Sequence, residues 1–244
     1  MKALGIIPSR YASTRFPGKP LIDIGGKTMI QRVYEQAKKA SSLSEVVVAT
    51  DDEKIFEHIT SFGGNVVMTA SSHESGTDRC AEVLEKINGD FDVVINIQGD
   101  EPFINPEQIN QLLACFKDDK TDIATLIKKI DSEEELFNPN RPKVAVDKNS
   151  FATMFSRNAI PQLINIAKSE WFTKQDFFKH IGIYGYRSIV LKEISQLPPS
   201  PLEIKERLEQ LRWIENSYKI KVAITSFEAI AIDTPADLEK ITFK

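Results

Sequence analysis

Ala3-Leu4-Gly5-Ile6-Ile7 runs straight into Ser9-Arg-Tyr-Ala-Ser-Thr-Arg-Phe-Pro-Gly-Lys19. The first half is a short apolar strand. The second is a loop that holds Arg10, Arg15 and Lys19 among hydroxyl side chains, and the first acid of the chain is Asp23. Open α/β sheets bind their ligands at strand carboxyl ends. Cations gathered there without acids suit a polyanion, most often a phosphate chain. The plainer alternative is a solvated turn at Pro17-Gly18-Lys19-Pro20. Against it, the loop follows the first strand and reaches a helix through a Gly25-Gly26 turn. No Gly-Lys-Ser/Thr opens a helix at the Walker A spacing, since Gly26-Lys27-Thr28 has Leu21 where the loop's first glycine would stand, and Gly-x-Gly-x-x-Gly is absent, so neither a Walker A loop nor a dinucleotide fingerprint is present.

Outward from this stretch, short β-branched runs recur at Leu4–Pro8, Val46–Ala49, Val66–Met68, Val93–Ile97, Ile123–Ile127 and Val144–Val146. Near-continuous apolar strands are covered on both faces. Between them lie helical patterns: Thr28–Ala40 with Met29, Ile30, Val33 and Ala37 on one face, then Ile55, Ile59 and Phe62, then Ala81, Leu84 and Ile87. The alternation predicts an α/β fold, a mostly parallel sheet with helices on both sides. After about residue 150 the rhythm changes. Strands are expected at Phe151–Phe155, His180–Tyr186, Ile220–Ile224 and Ala229–Ile232, and Pro198-Pro199-Ser200-Pro201 precedes one long helix to about Asn216. Its expected buried stripe is Ile204, Leu208, Leu211 and Ile214. The expected plan is one domain over 1–244: a nucleotide-binding half at 1–150, an inserted subdomain at 151–218, and a return to the sheet at 219–244.

Composition narrows the function. Apolar residues make up 41% of the 244, enough for a real core. The net charge of −4 speaks against nucleic acid as a partner. Cys80 and Cys115 have no metal or redox spacing and suggest a reducing compartment. No run reaches the length of a membrane span, and the start lacks a secretory leader, so a cytoplasmic location is expected.

Two acids near strand ends are unaccounted for. Asn96-Ile-Gln-Gly-Asp-Glu-Pro102 closes one strand, yet Asn105-Pro106-Glu107-Gln108 already supplies the next helix cap, leaving Asp100 and Glu101 spare. Asp233 is spare likewise, because Thr234-Pro235-Ala236-Asp237 supplies a separate cap. Asp100 and Asp233 could hold one Mg²⁺ beside phosphates. They could also be turn acids satisfied by backbone N–H groups.

These segments, together with Ser75-Gly-Thr-Asp-Arg79, Phe155-Ser-Arg157, His180-Ile-Gly-Ile-Tyr-Gly-Tyr186, Pro199-Ser-Pro-Leu-Glu, Leu208-Glu-Gln-Leu-Arg212 and Asp233-Thr-Pro, occur in order along the chain. Collectively they resemble the 3-deoxy-manno-octulosonate (Kdo) cytidylyltransferases. The resemblance implies a Rossmann-like nucleotide-diphospho-sugar transferase fold, a mostly parallel mixed sheet flanked by helices with an inserted dimerisation subdomain. It implies CMP transfer from CTP to Kdo with Mg²⁺, for lipopolysaccharide, in a homodimer. A related acid such as 8-amino-Kdo stays open as the acceptor.

By resemblance, Arg10, Lys19 and Asp100 are catalytic, and Ser13 and Arg15 assist at the triphosphate. Ser75 and Arg79 belong to the cytosine-side loop, where Thr77 reads as a helix cap. Gln98 serves both nucleotide and sugar, and Arg157, His180, Tyr184, Glu209 and Gln210 are expected on the sugar acid. Asp100 and Asp233 are the implied metal ligands. Trp171, Phe172, Phe177 and Phe178 fit a dimer interface or a core. One departure stands out: relatives commonly carry an Arg-Asp pair after the Ile-Pro, whereas Ile160-Pro161 is followed here by Gln-Leu-Ile-Asn.

Overall fold

The structure is a computed structural model, and it describes residues 1–12, 16–228, 231–232 and 234–238. In chain order the elements are β1 (Ala3–Ser9), α1 (Met29–Ala37), β2 (Glu45–Thr50), α2 (Glu53–Ser61), β3 (Val66–Met68), α3 (Gly76–Lys86), β4 (Val93–Asn96), α4 (Pro106–Ala114) and β5 (Ile123–Lys129). There follow α5 (Glu133–Phe137), β6 (Lys143–Val146), β7 (Ala152–Ser156), α6 (Lys168–Lys174), β8 (Phe178–Arg187), α7 (Ser188–Ile194), α8 (Pro201–Glu206), α9 (Gln210–Glu215), β9 (Ile220–Ile224) and α10 (Pro235–Leu238).

The strands form one mixed sheet in the order β3-β2-β1-β4-β8-β5-β9, with β6 and β7 branching from β8. β1 lies parallel to both β2 and β4, and β5 parallel to β9. β8 runs antiparallel between β4 and β5. The return to the main sheet therefore comes at β8, well before residue 219, and it fills the centre of the sheet. Its buried residues Ile181, Ile183, Tyr184 and Tyr186 supply apolar or aromatic surface to both faces.

Each face carries its own core. Ile30, Val33 and Ile55 cover one side with Ile109 and Leu112, and Cys80, Val83, Leu191, Leu211 and Trp213 cover the other. Burying these side chains contributes about 1.5–3 kcal/mol each. A separate small cluster of Ile130, Leu136, Ala159, Trp171 and Phe177 lies under α5 and α6. Phe178 packs instead on the main core.

Three local expectations are corrected. The helix after Pro201 is broken, because Arg207 adopts a left-handed conformation at φ 54° and closes α8 before α9 starts. The break rotates Ile204 out to 65% exposure, and Trp213 fills the buried position in α9. The cap of α3 is Ser75, in a reciprocal box with Asp78, which frees Thr77 to turn inward. Ala231 and Ile232 form no strand, and residues 229 and 230 lie outside the described set. Ile232 is held by packing with Ile24 and Met29.

Candidate active site

β1 delivers Ser9 and Arg10 to the carboxyl edge of the sheet, and β4 delivers Gln98, Gly99 and Asp100 beside them. Parallel pairing of β1 and β4 forces the two exits together. Gly99 is what allows the close approach, since a Cβ there would lie 2.7 Å from the Pro8 carbonyl oxygen. Gly18, at φ 72°, turns the loop back so that its amide donates to the Tyr11 carbonyl at 3.0 Å. This return brings Lys19 over the strand ends. Pro8, Arg10, Lys19, Gln98 and Asp100 line a cleft of about 130 Å³.

Lys19 Nζ donates to Asp100 Oδ2 at 2.9 Å. Two cations and one carboxylate thus converge where a triphosphate could be neutralised while a cation sits on the acid. The Ile232 amide donates to the Asp100 carbonyl at 3.0 Å, which ties the C-terminal segment to this edge. Asp233 follows next in sequence but lies outside the described residues, as do Ser13 and Arg15. Glu101 is 7% exposed, and burial together with the charge of Asp100 pushes its carboxyl up to about 7.

Arg10 Nη1 donates to the His73 carbonyl at 3.3 Å and so joins this cleft to the loop before α3. There a larger cavity of about 540 Å³ is lined by residues including His73, Ser75, Asp78, Glu209 and Arg212. Thr77 Oγ1 donates to Glu209 Oε2 at 3.1 Å and lies 3.5 Å from the Tyr186 hydroxyl. Burial pushes the Glu209 carboxyl up. Behind it stand Tyr184, Tyr186 and Trp213, the two tyrosine rings edge-on to the indole. His180 packs between Phe155 and Tyr184, its Nε2 3.0 Å from Thr125 Oγ1, and burial holds its pKa down at about 3. It is therefore neutral at ordinary pH.

Several buried polar atoms here have no partner: Ser9 Oγ, Asn96 Oδ1, Tyr184 OH, Glu209 Oε1, Gln210 Nε2 and Trp213 Nε1. Buried polar groups are nearly always bonded, so these atoms are ones that ordered water or a polar ligand would satisfy. Asn96, Ser9 and Trp213 were absent from the sequence-based site. The first two could have been found as polar residues ending otherwise apolar strands.

Two expected site residues are engaged elsewhere. Arg79 is 1% exposed, and its guanidinium donates to Asp51 at 2.9 Å and to Thr69, so it lines neither cavity. Burial without a partner would be costly for this cation, and the helix face it occupies points inward. Arg157 donates to the carbonyls of Glu206, Arg207 and Pro139 at 2.7, 3.2 and 3.1 Å. It too lines neither cavity.

The family model described as cytidylyltransferase matches residues 4–220. A 3-deoxy-manno-octulosonate cytidylyltransferase of Parabacteroides distasonis is 59% identical, with 98% of this chain and 96% of that one covered. The chain belongs to the 3-deoxy-manno-octulosonate cytidylyltransferase family. A Bacteroides thetaiotaomicron member is 58% identical to this cytidylyltransferase over the same shares of the two chains. Among solved structures, a CMP:2-keto-3-deoxy-manno-octonic acid synthetase complexed with CTP superposes on it with a TM-score of 0.91 at 44% identity, covering 98% of this chain and 96% of that one. A 4-diphosphocytidyl-2C-methyl-D-erythritol synthase of Anaerococcus prevotii, at 12% identity and a TM-score of 0.64, shares the fold alone. No helix among the described residues of the cytidylyltransferase is long and apolar enough to cross a membrane.

Proposed function

We propose that this enzyme transfers CMP from CTP to Kdo, releasing pyrophosphate and giving CMP-Kdo for lipopolysaccharide synthesis. The observation that carries the reading is the cleft where Arg10, Lys19, Gln98 and Asp100 meet, in a chain 44% identical to a synthetase solved with CTP. The anomeric 2-hydroxyl of the sugar acid attacks the α-phosphorus. An oxygen–phosphorus bond forms, the bond to the β-phosphate bridging oxygen breaks, and the hydroxyl proton is released. Such transfers need positioning and charge neutralisation more than covalent help from the protein. Arg10 and Lys19 are placed to hold the triphosphate and balance charge on departing pyrophosphate.

The orphan atoms of Asn96, Tyr184, Glu209 and Gln210 offer both donors and acceptors, as a polyhydroxylated acid requires. Asp100 keeps Oδ1 without a protein donor among the described residues, and its hard oxygen suits Mg²⁺. Asp100 and Asp233 would hold the ion together with substrate oxygens, since Mg²⁺ takes one or two carboxylates beside phosphates. Bound there, Mg²⁺ supplies neutralisation at the phosphates and acidifies the attacking hydroxyl. We take a homodimer as the working assembly, supported by exposed Phe137 and Ile164 near the small aromatic cluster and checked by sedimentation.

The test is pyrophosphate release with CTP, Mg²⁺ and, in turn, Kdo, 8-amino-Kdo and sialic acid. Release with Kdo is expected to be fastest. Faster release with 8-amino-Kdo would move the acceptor assignment, and no release with any of them would end the enzyme reading.

A further inference from the structure

Lys143 opens β6 with no exposure to solvent at all. Its ammonium donates to three carbonyls, those of Asn138, Arg141 and Arg157, at 2.7, 2.8 and 2.8 Å. An ammonium has three donors, so all are used, and no carboxylate is among the partners. A buried cation satisfied only by backbone is an expensive choice for simple packing, which an apolar side chain would serve better.

What the ammonium gathers is informative. It fixes the backbone of Arg157 from one side. From the other, the Arg157 amide donates to Glu206 Oε2 at 3.2 Å, and its guanidinium holds the Glu206 and Arg207 carbonyls. Those carbonyls end α8 at the left-handed Arg207, three residues before α9 begins. The residues between the break and α9 include Glu209, whose Oε2 meets Thr77, and Gln210 follows at once. The contacts therefore form one chain from Lys143 through Arg157 to the α8–α9 junction that presents Glu209 and Gln210.

We propose that Lys143 is a positioning residue for the sugar-acid half of the site, acting through Arg157 on the α8–α9 junction. The proposal rests on the Kdo cytidylyltransferase reading for its substrate, and on hydrogen bonding alone for its mechanics. Lys143 touches no substrate. Arg157, in turn, works by clamping the junction.

The variant Lys143→Met keeps the stem and removes the ammonium. In the ligand-free protein, amide hydrogen exchange across residues 205–212 is expected to rise at least tenfold, while β1 and β4 exchange as in the wild type. In turnover, KM for Kdo should rise about tenfold or more, with KM for CTP within twofold. A merely destabilised protein would move both KM values, or neither, and would speed exchange throughout. Should Lys143→Met fail to fold, Arg157→Met removes the clamp from its more exposed side and is expected to give the same local exchange signature without ligand. Unchanged exchange at 205–212 in the variants that fold overturns the positioning role, as does an unchanged Kdo KM. If the wild type turns over no Kdo at all, the substrate reading fails, and exchange still decides the positioning.

Discussion

Asp100 follows a glycine whose missing side chain sets the distance between two strand exits. A Cβ at position 99 would press on the Pro8 carbonyl, which is backbone and cannot swing away. Gly99→Ala is expected to cost about 1–3 kcal/mol in urea unfolding, as overpacking does, and to lower kcat by shifting Asp100. Asp100→Asn keeps the shape and removes the charge. Turnover should fall roughly 100-fold or more, the scale of losing a key electrostatic group, while Tm changes little. Retained turnover would remove Asp100 from the site. His180 gives a pH signature. Its folded pKa of about 3 lies below the ordinary 6.5, so the unfolded chain takes up the proton first. Stability is complete above pH 6.5 and drains as pH falls toward 3, by at most about 2 kcal/mol on reaching pH 5. Urea unfolding at pH 7 and pH 5 should show this loss, and His180→Gln should shed it. Equal losses in both proteins would refute the buried neutral imidazole.

At the scale of elements, the start of α3 does double duty. Ser75 caps the helix reciprocally with Asp78, and the freed Thr77 reaches Glu209. Ser75→Ala should cost about 1 kcal/mol by differential scanning calorimetry, with a weaker grip on CTP if the loop also faces the base. The spacing Ser75-x-x-Asp78 was readable in the sequence, yet Thr77 drew the cap because either hydroxyl suits that position. The helix after Pro201 misled for a different reason. Its residues have ordinary helical spacing, and nothing local announces a left-handed Arg207. At that break the Arg207 carbonyl accepts from Arg157, 50 residues away in the chain, a contact that periodicity cannot register. By contrast, β1, β3 and β9 were plain in the sequence, since short β-branched runs bounded by polar loops have few other uses.

For the whole molecule, the alternation of strands and helices announced the α/β class, and the opening loop pointed to the strand ends where Arg10 and Lys19 line a cleft. Neither reveals that β8 enters antiparallel between β4 and β5, because register across 90 residues is a matter of long-range pairing. The same holds for the orphan atoms of Asn96 and Gln210, which matter only once folding has removed them from water. Ligand linkage tests the assembled site. CTP at about 100 times its Kd, with Mg²⁺, should add roughly 2.7 kcal/mol and raise Tm by about 5–10 °C in a chain of this size. Lys19→Ala should abolish that rise at the same CTP concentration, and an undiminished rise would place the triphosphate elsewhere.

The small cluster around Trp171 has a practical side. The chain contains two tryptophans, and they sit in different compartments: Trp171 beneath α5 and α6, Trp213 against Tyr184 and Tyr186 of the main core. Each compartment thus carries a built-in fluorophore. Trp171→Phe leaves an optical probe beside Tyr184 and Tyr186, and Trp213→Phe leaves one on the satellite cluster. Paired spectra of the two would report whether the halves melt as one body, and which of them senses an arriving sugar.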